Sequence, residues 1–144
     1  MKLTDNWFST MAETDNEMPI FISGRDNLDE FRLSEKFKER VEIYWHYEST
    51  HNGMPSDSDA ELMEKVVDTL RNAVEKDKLA ILTGMYTGNN ERTLVFYTRT
   101  SRVFGERLNE ALADFPQLPI TLYVENDPNW EEYQEMCDIK PFAD

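Results

Sequence analysis

The chain carries a single cysteine, Cys137, in 144 residues. No disulfide can form within it, a multi-cysteine metal site is excluded, and a reducing compartment suits it. It also lacks any apolar run approaching the roughly 20 residues that span a bilayer. The opening Met1-Lys2-Leu3-Thr4-Asp5-Asn6-Trp7 has no apolar core of a secretion signal. Cations are scarce: 15 Lys and Arg stand against 29 Asp and Glu, a formal charge of -14. Such a field repels nucleic-acid phosphates and anionic headgroups, so neither nucleic acid nor membrane is an expected partner. A protein with a basic surface is the electrostatic complement, although an acidic surface also serves solubility. These features read as a cytoplasmic protein whose oligomeric state the sequence leaves open.

Apolar residues make up 40%, with eight Phe, six Tyr and three Trp, enough for a packed core despite the charge. The length suits one domain over residues 1–144. In Val41 to Glu48, the apolar Val41, Ile43, Trp45 and Tyr47 alternate with Glu42, Tyr44, His46 and Glu48, the period of a half-buried strand. After a loop at Ser49 to Pro55, Ser58 and Glu61 are spaced as a capping box. Leu62, Met63, Val66, Val67, Leu70, Ala73 and Val74 then form one helical stripe ending near Glu75. Leu79 to Tyr86 is a nearly continuous apolar run, as in a central strand buried on both faces. Thr87-Gly88-Asn89-Asn90 tolerates positive φ, so Arg92 to Thr98 should return as a hairpin. Thr100 or Ser101 can cap a second helix with the stripe Phe104, Leu108, Ala111, Leu112 and Phe115, ended by Pro116 and Pro119. Ile120 to Val124 is the last strand.

The expected class is therefore α+β, a ferredoxin-like βαββαβ plait over residues 41–124 with both helices on one face of an antiparallel sheet. Residues 1–40 are an N-terminal extension in which Trp7 to Ala12 and Met18 to Ser23 form a β-hairpin around the acidic turn Glu13 to Glu17. This hairpin either extends the sheet or covers its open face. Gly24 to Arg40 reads as irregular, anchored by Phe31, Leu33 and Phe37. Residues 125–144 form a C-terminal extension with a short helix, opened by an Asp127 cap and Pro128 in its first turn, whose Trp130, Tyr133 and Met136 or Cys137 share a face.

The order Val41-Glu42-Ile43-Tyr44-Trp45, Gly53-Met54-Pro55, Leu79 to Gly84, Arg92 to Tyr97 and Asp127-Pro128-Asn129-Trp130-Glu131-Glu132-Tyr133 resembles the bacterial domain of unknown function 695 family. The resemblance covers about residues 40 to 136 and implies the fold; it brings no established activity or catalytic residue. A fainter likeness, in fold type and acidity, runs to the acidic inhibitor proteins of ribonuclease E and implies a regulatory binding role.

Chemistry-bearing motifs are few. His46 and His51 with Glu48 have the donor types of a divalent-metal site, but a strand puts His51 beyond the face that His46 and Glu48 share, so no metal is assigned. Ser56 to Glu61 lacks the ligand alternation of a calcium loop, and Gly84 to Gly88 lacks the Lys and helix of a phosphate loop, so no cofactor is expected. Cys137 sits between acidic neighbours that raise a thiol pKa, against nucleophilic use. What remains as a ligand or partner surface is Tyr44, His46, Glu48 and Tyr97 on one sheet face. The leading expectation is a non-catalytic, inhibitor-like binding protein. The alternative is a small-molecule binder or small enzyme in a cleft between the N-terminal segment and the sheet, with His46 and Glu48 as acid and base.

Overall fold

The computed structural model describes residues 2–15, 17–48 and 52–139. They form a mixed α+β structure of a six-stranded antiparallel sheet and four helices. In chain order these are β1 (Trp7–Glu13), β2 (Pro19–Arg25), α1 (Asp29–Leu33), β3 (Glu39–His46), α2 (Asp57–Glu75), β4 (Ala80–Gly88), β5 (Glu91–Thr98), α3 (Ser101–Ala111), β6 (Ile120–Asn126) and α4 (Glu131–Asp138). The sheet order is β1-β2-β4-β5-β3-β6.

Side-chain alternation decides which face of each strand is buried. On β3, Val41, Ile43 and Trp45 point into a core with Met63, Val66, Leu70 and Val74 of α2 and with Phe104 and Leu108 of α3. The helical stripe expected of α2 is thus the buried one. Its cap is Ser56, whose Oγ accepts from the Asp59 amide at 3.1 Å, two residues earlier than the Ser58 and Glu61 capping box. Ser56 is the residue in extended conformation immediately before the helix, where a side-chain oxygen reaches the first-turn amides. Asn89 and Asn90, at φ +53 and +67, make the two-residue turn between β4 and β5, the left-handed pair that matches strand twist.

The N-terminal hairpin extends the sheet through β2 and β4. It does not cover the second face. That face is closed by α1, the connecting residues 26–38 and α4, which contribute Leu28, Phe31, Phe37, Trp130, Tyr133 and Met136 around Ile81, Val95 and Tyr97. Phe8 and Ile22 of the hairpin join this second core, while Trp7 turns to the first. The stretch expected to be irregular thus holds a short helix, and its Leu33, expected as an anchor, is 68% exposed. Helix α3 ends at Ala111, before either proline. An extra residue, Thr83, makes a bulge between Leu82 and Gly84, and resets the alternation so that Gly84 faces the second core. A methyl group at Gly84 would lie 2.5 Å from Met136 Sδ, so the glycine is what lets α4 sit close to the sheet.

Candidate functional site

Strand β3 ends at His46, two residues sooner than its alternating pattern. Its second face carries Arg40, Glu42, Tyr44 and His46, opposite Tyr97, Val95, Thr93 and Glu91 on β5 and Glu125, Tyr123 and Thr121 on β6. The Arg40 guanidinium bonds Asp127 Oδ2 at 2.7 Å and Glu125 Oε2 at 2.6 Å, with Glu42 Oε2 at 3.7 Å from its Nε. Asp127 Oδ2 also accepts from the Tyr97 hydroxyl at 2.6 Å, and the two carboxylate oxygens take the Glu131 and Glu132 amides at 2.8 and 3.2 Å. Asp127 therefore caps α4, as its sequence suggested, but from four residues before the helix, because Trp130 takes a left-handed conformation at φ +55 between them. Burial alone would raise the Asp127 carboxyl; its bonds to Tyr97, these amides and Arg40 hold it below the ordinary aspartate range. Burial likewise works against the Arg40 charge, but the bond to Asp127 and the nearness of Glu42 raise its pKa overall.

Next to this cluster, Tyr86 donates to Glu132 Oε1 at 2.7 Å, while Glu132 Oε2 is buried without a partner among the described residues. Burial raises the Glu132 carboxyl, only partly countered by the Tyr86 bond. The hydroxyl of Tyr133 donates to the Arg25 carbonyl, and Trp130 Nε1 donates to the Phe37 carbonyl at 2.8 Å. Every one of these bonds ties α4 or its lead-in to another segment, which is the work of a structural clamp.

The four residues expected to share a surface are divided. Tyr97 is fully buried, its ring stacked on Trp130 at a centroid distance of 4.3 Å. Tyr44 is half-buried and donates to Glu42 Oε2 at 3.1 Å; burial, then Glu42, pushes its hydroxyl up to about 12. His46 is exposed, with Nδ1 3.2 Å from Glu91 Oε2. Glu48 lies beyond the strand end and is exposed. Tyr44 and His46 thus keep one solvent-reachable face, without Tyr97 and with no contact to Glu48. His51 falls outside the described residues, and among those described no three His, Cys, Asp or Glu side chains converge on a metal position. Cys137 is half-buried against the second core.

Two things the sequence reading did not give are the exposure of one strand and the lining of one cleft. The strand is β6, whose residues from Thr121 to Asn126 are all exposed, with Leu122, Tyr123 and Val124 at 43, 46 and 47%. Its short apolar run looked like any core strand, but it stands at the edge of the sheet, paired with β3 alone. The cleft, of about 440 Å³, lies between Trp7, α2 and the sheet, with Arg92 in its wall. A cleft beside the N-terminal segment was expected, but neither His46 nor Glu48 lines it.

A clamped single-sheet α+β protein, with no described helix long and apolar enough to cross a membrane, is the class that this geometry defines. The chain belongs to the family of unknown function DUF695, which it matches over residues 5–136. No curated protein and no solved structure matches it.

Proposed function

We propose that the protein is a non-catalytic, cytoplasmic binding module that regulates or inhibits a partner protein by pairing with it along the outer edge of β6. The carrying observation is that edge: seven regular residues with β3 on one side only, no proline, no bulge in the β3 pairing, and three consecutive exposed apolar side chains. Edge strands present unpaired N–H and C=O groups and are ordinarily blunted by charges, bulges or prolines. An open edge is the template for strand addition, with backbone bonds for affinity and alternate side chains for specificity.

The chemistry of the partner follows from the two faces of β6. Residues of an added strand beside Leu122 and Val124 would meet apolar surface. Those beside Thr121, Tyr123 and Glu125 would meet the Arg40 cluster, where three carboxylates, Glu42, Glu125 and Asp127, surround one guanidinium, leaving a net charge of 1 − 3 = −2. An extended segment alternating apolar and basic residues fits both, in keeping with the -14 charge of the chain. The framework we infer is a ferredoxin-like plait, supported by the order β6-β3-β5-β4 with α2 and α3 as its two connections. The non-catalytic reading is supported by the commitment of Asp127 and Tyr97 to the clamp.

The test is a peptide alternating valine and lysine, titrated into labelled protein and followed by amide shifts. Shifts centred on residues 120–126, abolished in Leu122→Lys/Val124→Lys with the melting temperature retained, are expected. Binding that persists in the double variant would overturn the β6 assignment.

A further inference from the structure

Arginines in this acidic chain find carboxylates readily. Arg25, Arg32, Arg40, Arg71, Arg102 and Arg107 each lie within 4.0 Å of one. Arg92 is the half-buried exception: its Nε donates to Thr87 Oγ1 at 2.9 Å, and among the described residues it forms no salt bridge with a carboxylate. Burial lowers its pKa, the cost of holding a cation in a partly dry site, and the nearby charge of Glu64 offsets this only in part. The guanidinium lines a cleft, and among the described residues only its Nε has a hydrogen-bond partner.

Glu64 and Asp68, exposed and one turn apart on α2, line the same cleft, and neither has a carboxylate within 4.0 Å of a cation among the described residues, although the charge of Glu64 is felt at Arg92. Apolar Val67 and Met85 and the indole of Trp7 line it too, as does Arg71, whose guanidinium is already paired with Asp5 and Glu75. That indole is held in place: Nε1 donates to Asp5 Oδ1 at 2.5 Å, and the Arg25 and Arg71 guanidinium carbons lie 5.2 and 5.7 Å from the ring centroid. A preset wall lowers the ordering cost of binding. The volume of about 440 Å³ falls within the range of small-ligand sites.

We propose that this cleft binds a zwitterion, an α-amino acid with an apolar or aromatic side chain, whose carboxylate is held by Arg92, whose ammonium group faces Glu64 and Asp68, and whose side chain lies on Val67, Met85 and Trp7. A plain anion would meet the two α2 carboxylates, and a plain cation would meet Arg92 and Arg71. Only a molecule carrying both charges answers both walls. The cleft lies towards the opposite edge of the sheet from β6, so the inference stands apart from the strand-pairing reading.

Phenylalanine and leucine serve as probes, titrated into the full chain with detection by tryptophan fluorescence and by amide and indole N–H shifts. Trp45 and Trp130 are 3 and 1% exposed, so a ligand in solution reaches Trp7 alone. Saturable binding with shifts around Trp7 and Arg92 is expected, against much weaker binding of acetate, inorganic phosphate and butylamine. Arg92→Gln should weaken the amino acid by about tenfold or more, equivalent to about 1.4 kcal/mol. Glu64→Gln/Asp68→Asn, on an exposed helix face, supplies the same test should Arg92→Gln fold poorly. Phosphate binding as tightly as the amino acids would make this a simple anion site and overturn the proposal. So would no saturable binding of any amino acid, or affinity unchanged in both variants.

Discussion

Asp127, just past the end of β6, accepts a 2.6 Å hydrogen bond from the hydroxyl of Tyr97, thirty residues earlier on β5. The same carboxylate holds Arg40 and caps α4, so one side chain, 4% exposed, fastens the C-terminal helix to the middle of the sheet. Removing its charge leaves the Arg40 guanidinium, itself 13% exposed, without its most buried partner. Asp127→Asn should cost roughly 3 kcal/mol, in the range for breaking a buried ion pair, softened because Glu125 remains beside Arg40. Urea denaturation reads this directly; a loss under about 1 kcal/mol would mean that the pair adds little.

Glu132 and Asp127 should tilt stability in opposite directions with pH. The raised Glu132 carboxyl keeps a proton in the folded protein that the unfolded chain releases. Its contribution is therefore full below the ordinary glutamate pKa and fades as pH rises through the folded value. For Asp127, held low, the contribution is present above the ordinary aspartate pKa and is lost as pH falls through the folded value. Glu132→Gln should flatten the decline in denaturation midpoint on the rising side and leave the acid side in place. A rising-side decline identical to that of the parent protein would show that Glu132 is not its source.

Leu70 and Leu82, both 0% exposed, belong to the core between α2 and the sheet. Leu70→Ala and Leu82→Ala should each cost roughly 2 to 5 kcal/mol by lost transfer energy and the cavity left behind. Chemical denaturation giving less than about 1 kcal/mol for both would contradict a shared core at that interface.

Gly24 faces Phe8 across the hairpin, and a methyl group there would run into the Phe8 ring. Gly24→Ala should therefore destabilise by roughly 1 to 3 kcal/mol through overpacking. Adding Phe8→Leu to Gly24→Ala, by vacating the ring, should recover part of the loss. No recovery in the double variant would place the strain elsewhere.

Deleting residues 1–24 removes β1 and nearly all of β2, strips Phe8 and Ile22 from the second core and bares the edge of β4. The melting temperature should fall and a hydrophobic dye should bind. An unchanged melting curve without dye binding would make the hairpin a separable arm.

The local pattern of the chain determined its local elements. The alternation of Val41, Ile43 and Trp45, the stripe of Met63, Val66, Leu70 and Val74 and the Asn89-Asn90 turn each depend on neighbours in sequence, so period and turn chemistry were enough to read them. The pairing of β2 with β4, the closure of the second face by residues 26–38 with α4, and the burial of Tyr97 rest on contacts between segments far apart in the chain. No sequence period encodes which distant segment covers a given face. The same limit holds for function. Tyr97 looked like a surface group because strand alternation sets its face but not what packs on it, while β6 and Arg92 became candidates only once the order of the strands and the lie of Trp7 were fixed in three dimensions.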